Sequence, residues 1–142
     1  MVEQISVFLE NKHGRLAEVT ETLSANKINI RALSIADTTD FGILRLIVDQ
    51  PQRAYSILKE ANFVVSITEV IAVSMPDESG ALARVLAALA KEKINIEYLY
   101  AFVTHDEHKA LVIFRVEEIT KAIEVLGREG FEVVDSKKLY SL

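Results

Sequence analysis

Cysteine is absent from this chain, and glycine and proline are scarce: five and two among 142 residues. Without cysteine there can be no disulfide, thiolate metal site or thiol nucleophile, a usage compatible with a reducing cytosol. A basic surplus is also missing. The net charge of −5, with lysine and arginine thinly spread, argues against a nucleic-acid partner, which needs a basic surface to neutralise phosphates. No apolar run approaches the ~20 residues that cross a bilayer, and no secretion signal is visible, so no membrane partner is expected and the cytoplasm is the expected location. What remains, with 50% apolar and 26% charged residues, has the composition of an ordinary globular protein.

Set against these absences is a repetition. The tetrapeptide KINI stands at Lys27–Ile30 and again at Lys93–Ile96, 66 positions on. At that offset Ile5 meets Ile71, Val7 meets Val73, Gly14 meets Gly80, Val19 meets Val85 and Leu23 meets Leu89. Farther along an offset of 68 pairs Val48 with Val116, Ala54 with Ala122 and Phe63 with Phe131, which places two extra residues near THDEHK. The chain reads as a duplication of roughly 70-residue units, 1–67 and 68–142. Small units bury modest cores, so each is expected to lean on its twin.

Each half alternates strand and helix periods. In the first, 2–9 read as a strand, and 14–25 as a helix with Leu16, Val19, Thr20 and Leu23 on one face. Strands follow at 28–37 and 41–48. Asp49 and Pro51 then read as an N-cap and first-turn proline for a second helix through Ala54, Ile57, Leu58 and Ala61, and 63–67 closes as a strand. The second half repeats the order, with strands at 68–75, 94–103, 109–116 and 131–136 and helices at 80–91 and 118–128. The fold class is therefore α+β: two tandem ferredoxin-like βαββαβ units with antiparallel sheets. FVVSITEVIAVSM joins them without glycine or proline, which leaves no room for a flexible linker. Helices cover one sheet face, yet Ile43, Leu44, Leu46, Ile47 and Val48 are apolar on both, as are Val112, Ile113 and Phe114, so the second face must also be covered.

Polar residues recur at two places. The first strand-to-helix loops are LENKHGRL and SMPDESGAL, aligning Asn11 with Asp77 and Gly14 with Gly80. A glycine opening a helix lets the backbone approach a ligand, and first-turn N–H groups attract a carboxylate. Asn11 and Asp77 could receive an ammonium or cap their helices. The second place is Asn29 and Asn95 inside KINI, where an amide offers donor and acceptor together, or serves a local turn.

A D/N-x-x-G loop followed by an amphipathic helix and an I-N-I strand, in a βαββαβ unit, resembles the ACT domain, a small-molecule sensing module of amino-acid metabolism. The resemblance spans the chain twice, as in free-standing tandem ACT proteins without a catalytic domain. It implies a non-catalytic regulatory protein that binds an amino acid or related small carboxylate, with no cofactor, where two units join their sheets. The loop of one unit would face the second-strand start of the other, so Asn11 and Gly14 would face Asn95, and Asp77 and Gly80 would face Asn29. His13, Arg15, Leu16 and Ile30 would complete the first unit's contribution; Ser79, Ala81, Leu82 and Ile96 the second's. The family's proline before the glycine is absent: Lys12 and His13 stand there in one loop and Ser79 in the other. Arg31 aligns with Glu97 and Ala32 with Tyr98, so two pockets would differ in charge and volume.

Other readings compete less well. A structural adaptor without a ligand is the alternative. An enzyme needs an acid, base or nucleophile with an orienting partner, and His13 has none in sequence. HDEH, from His105 to His108, has metal-ligand spacing but falls in an expected polar turn. Tyr98, Tyr100 and Phe102 alternate as in RNA-binding sheets, yet Glu97 and Asp106 accompany them in place of a basic run. Finally, GALARVLAALA is small on nearly every side where the first helix carries Arg15, Glu18, Glu21 and Thr22. This suits close approach of a second copy, so a homodimer or larger even oligomer is expected with helix 80–91 at or beside the contact, and a regulated enzyme is a further expected partner.

Overall fold

The computed structural model describes residues 1–37, 40–102 and 108–142. The chain divides into two compact units, one of Glu3–Thr68 and one of Glu69–Tyr140 with Met1–Val2 counted alongside it. The first contains β1 (Val2–Glu10), α1 (Arg15–Ala25), β2 (Ile30–Asp37), β3 (Phe41–Val48) and α2 (Pro51–Glu60). β4 (Val64–Pro76) is a single 13-residue strand, as a run without glycine or proline up to its last residue permits; its beginning belongs to the first unit and the remainder to the second. α3 (Ala81–Lys91), β5 (Ile96–Ala101), β6 (Lys109–Val116), α4 (Ile119–Arg128), β7 (Glu132–Val133) and α5 (Ser136–Tyr140) complete the second unit.

Strand order in the first unit is β2-β3-β1-β4, and in the second β5-β6-β4-β7. Counted from its own start each unit thus has the same antiparallel order, the expected α+β plan. The registers place Ile5 opposite Leu46 and Val7 opposite Leu44, and in the twin Ile71 opposite Phe114 and Val73 opposite Val112. These positions build one core per unit. Val19, Leu23, Ala54 and Leu58 close the first from the helix side, and Val85, Leu89, Ala122 and Leu126 close the second. Where the first unit uses Leu44 and Leu46 the second uses Val112 and Phe114, one smaller and one larger residue at neighbouring places. Swaps that conserve total volume are the ones packed cores tolerate.

Part of each opposite sheet face is buried as well, although Phe8 and Phe41 of the first unit stay 48% and 45% exposed. Ala32 pairs with Ile47 and Ala72 with Ile113, and all four have no exposed surface. Gln4 is fully buried on this side of the first unit; its Nε2 donates to Ser6 Oγ at 3.0 Å, and that hydroxyl lies 3.3 Å from Thr68 Oγ1. A buried amide without such a partner would cost a few kcal/mol.

KINI has a local explanation. Lys27 and Lys93 both have φ of 57°, the left-handed conformation that ends a helix. Ile28 N–H donates to Leu23 O and Lys27 N–H to Ser24 O; Ile94 N–H donates to Leu89 O and Lys93 N–H to Ala90 O. These are paired 6→1 and 5→2 bonds that satisfy orphan carbonyls, with an apolar residue, Ile28 or Ile94, turned into the core. α2 and α4 end the same way at Asn62–Phe63 and Gly130–Phe131. Because the turn takes residues 27–29 and 93–95, β2 and β5 begin two residues later than periodicity suggests. Lysine in this conformation is strained where glycine is not. Lys93→Gly is therefore expected to stabilise the protein by roughly 0.5–1 kcal/mol, offset in part by a freer unfolded chain, and to raise Tm in a thermal melt.

Three further expectations are corrected. Gln50, not Asp49, is the N-cap of α2, because the Asp49 carboxylate is taken by Asn29 N–H at 3.1 Å. Ala81, expected to point outward on the small-residue helix, is buried. The last strand shrinks to two residues and is followed by α5, which buries Leu139. Asp135 starts that turn by accepting from Lys137 N–H at 2.7 Å, and Lys138 donates to Glu132 at 3.0 Å, holding that exposed carboxyl below its ordinary 4.5.

Candidate functional site

The two loops have the same backbone. In the first, Lys12 N–H donates to Glu10 O, Arg15 N–H to Lys12 O and Glu18 N–H to Gly14 O; in the second, Glu78 N–H donates to Pro76 O, Ala81 N–H to Glu78 O and Arg84 N–H to Gly80 O. Asn11 N–H reaches Asp40 O at 2.9 Å and Asp77 N–H reaches His108 O at 3.1 Å, which ties each loop to the neighbouring strand entrance. Gly14 and Gly80 are the N-caps, with φ of 85° and 88°. They make the bend without the proline, and a side chain there would be strained. Neither helix has a side-chain cap, so Asn11 and Asp77 do not cap α1 and α3. Asn11, His13, Asp77 and Ser79 are exposed beside first-turn N–H groups that have no intrahelical acceptor.

Flanking positions differ between the loops. Arg15 lies over the Phe63 ring, 4.6 Å from its centroid, and its Nη1 donates to Glu18 at 2.7 Å. Its aligned residue, Ala81, has its methyl in the core. Leu16 and Leu82 are 41% and 37% exposed, far more than a core leucine, and stand at the loop end of their helices.

Asn29 and Asn95 are exposed and anchored by the end of the next strand. Asn29 N–H donates to the Asp49 carboxylate, and Asp49 N–H returns to Asn29 O at 3.1 Å. In the twin, Asn95 Nδ2 donates to Glu117 at 3.3 Å and Glu117 N–H to Asn95 O at 3.4 Å. Ile30 and Ile96 are half-buried beneath them. Asn29 and Ile30 also line an open depression of ≈ 420 Å³ with Thr20, Ser24, Lys27 and Ile28. Periodicity places Thr20 on the apolar helix face and marks neither Ser24 nor Lys27; the three line the opening beside the last turns of α1, whose stop at Lys27 only the backbone reveals.

Within one unit the glycine loop precedes the helix and the KINI asparagine follows it. An 11-residue helix is about 16 Å long. No single unit can therefore bring its own loop and its own asparagine onto one small ligand.

The family model for the ACT domain pair matches residues 1–142. The chain belongs to the ACT domain family. The crystal structure of a Bacteroides thetaiotaomicron protein is similar, at 45% identity and a TM-score of 0.94, over 99% of this chain and 96% of that one. The ligand-free regulatory subunit of aspartate kinase from Thermus thermophilus matches at 18% identity and TM-score 0.66, over 89% and 90%. The corresponding Thermus flavus subunit matches at 17% and 0.61, again over 89% and 90%. At those identities the likeness is one of fold. Among curated proteins none matches the sequence.

The competing sites fare as follows in this ACT domain pair. Residues 105–107 of HDEH lie outside the described residues; among the described residues no cluster of three His, Asp or Glu could hold a metal ion. The Tyr98 and Tyr100 rings stack on each other at 6.4 Å, with Tyr100 buried and Glu97 paired to Arg115 at 3.0 Å, so they offer no open basic platform for bases. No helix among the described residues is long and apolar enough to cross a membrane.

Proposed function

We propose that this ACT domain pair is a regulatory protein that binds an amino acid or related small carboxylate where the glycine loop of one ACT unit meets the KINI asparagine of another. Asn11 and Gly14 would act with Asn95, and Asp77 and Gly80 with Asn29. The observation that carries the reading is the separation of loop and asparagine by a full helix within each unit, although both are exposed and duplicated. First-turn N–H groups beyond those of Arg15 and Ala81 receive the carboxylate, and the asparagine amide fixes the remaining polar group. Occupancy would then be passed to a partner enzyme or to a homodimer or larger even assembly, by as much as the ligand's affinities for two states differ.

A thermal-shift screen against the twenty amino acids tests this. A ligand at 100 times its Kd adds about 2.7 kcal/mol to stability, which a melt resolves, whereas an adaptor with no ligand melts alike in every well. Asp77 attracts a ligand ammonium more than neutral Asn11 does, so the two sites are expected to bind unequally in calorimetry. Two equal affinities would count against the charge assignment.

A further inference from the structure

The duplication supplies an internal control for a second place on the protein. In the first unit the Phe63 ring is only 6% exposed, because the Arg15 guanidinium lies on it and is held there by Glu18. In the second unit Phe131 takes the place of Phe63, but Ala81 replaces Arg15 and Arg84 replaces Glu18. The cation that would lie over the ring is gone, and the acid that would hold it has become a base. Phe131 is correspondingly more exposed, and it lines an open groove of ≈ 400 Å³ with Arg84, Ala87, Ala88, Lys91 and Glu129.

The chemistry of that lining is specific. Arg84 and Lys91 stand two turns apart on the exposed side of α3, with the methyls of Ala87 and Ala88 between them and the Phe131 ring alongside. Among the described residues Arg84 pairs with Glu78, at 2.9 Å, with both side chains more than half exposed. Such a pair contributes little, so a carboxylate that also gains apolar contact can displace it. From these residues we infer that the groove binds a small carboxylate with an aromatic or branched apolar body: carboxylate on Arg84, body over Phe131 where Arg15 lies in the twin, and Lys91 adding attraction. Glu129 at the rim favours a ligand that also carries an ammonium. The site is separate from the loop–asparagine site and does not depend on it.

The test is a titration of the intact, ¹⁵N-labelled protein with 3-phenylpropionate, L-phenylalanine and, as a control without an apolar body, glycine. The first two are expected to shift the amides of 84–91 and 129–131, and glycine is not; tighter binding of phenylalanine than of phenylpropionate assigns Glu129 to the ammonium. Arg84→Glu restores the acid of the first unit and is expected to weaken binding tenfold or more, with Arg84→Lys recovering part of it. Because Arg84 adjoins Gly80, Lys91→Glu and Phe131→Leu are the companion variants, each expected to weaken binding without moving the loop amides. Asn29→Ala and Asn95→Ala should leave these shifts unchanged, which separates this site from the one proposed above. Absence of shifts at 84–91 and 129–131, or shifts indifferent to both charge reversals, overturns the inference. So does an Ala87→Glu variant that turns a dimer into a monomer while no ligand moves these amides, since the groove would then belong to a second copy.

Discussion

Phe114→Ala is expected to remove about 3–5 kcal/mol of stability, the cost of deleting a large aromatic from a closed core. Phe114 is fully buried and packs with Ile71, Val85, Leu89 and Leu126, all of which have no exposed surface. The helices on one side and the strand neighbours on the other are fixed by their own hydrogen bonds, so the space cannot collapse. Because a small domain has only about 5–15 kcal/mol in total, this is a large fraction of the second unit's stability, and the variant's Tm should fall well below the parent's. Leu46→Ala at the matching place in the first unit removes fewer atoms and is expected to cost less, about 2–4 kcal/mol. Urea titrations followed by circular dichroism compare the two. A Phe114→Ala loss below about 1 kcal/mol would mean that the second core is not closed around this ring.

The asparagines give the second large effect, on binding. Asn29→Ala and Asn95→Ala are each expected to lower effector affinity by about 1–3 kcal/mol, because a ligand polar group loses its partner in a desolvated site. Stability should change far less. The Asn29 backbone makes the contacts to Asp49, and these survive the substitution. Asn95→Ala also loses the exposed bond to Glu117, so it should melt slightly earlier than Asn29→Ala. Calorimetry beside thermal melts separates the outcomes: variants that bind like the parent yet melt early would make both asparagines structural.

The division of labour between sequence and tertiary structure can be followed at particular residues. Periodicity located the helices within a residue or so, since Val19, Leu23, Val85 and Leu89 recur at helical spacing only on a face that meets a core. The repeat implied one topology used twice, and the lack of glycine and proline through 63–75 implied an unbroken strand, found as β4. Apolar residues at consecutive strand positions called for cover on both sheet faces, and Ile47 and Ile113 are buried, whereas Phe8 and Phe41 stay exposed.

Other features lay beyond the reach of pattern. KINI reads as an Asn flanked by two isoleucines until the left-handed φ of Lys27 and Lys93 shows a helix stop, a conformation that lysine disfavours and sequence therefore does not announce. Asp49 had every property of an N-cap, but Asn29 across the sheet took its carboxylate. Five residues are too few for α5 to show a period, and its place follows from the burial of Leu139. Arg15 and Ala81 looked like equivalent loop-flanking positions, yet one covers Phe63 and the other leaves Phe131 open. The sequence by itself determined the repeat, the order of elements and the residues that must be buried, because these depend on spacing and on the removal of apolar surface from water. Only the tertiary structure decided which polar groups are already spent on partners distant in the chain and which remain for a ligand, because hydrogen bonds are short and directional and their partners are chosen in space.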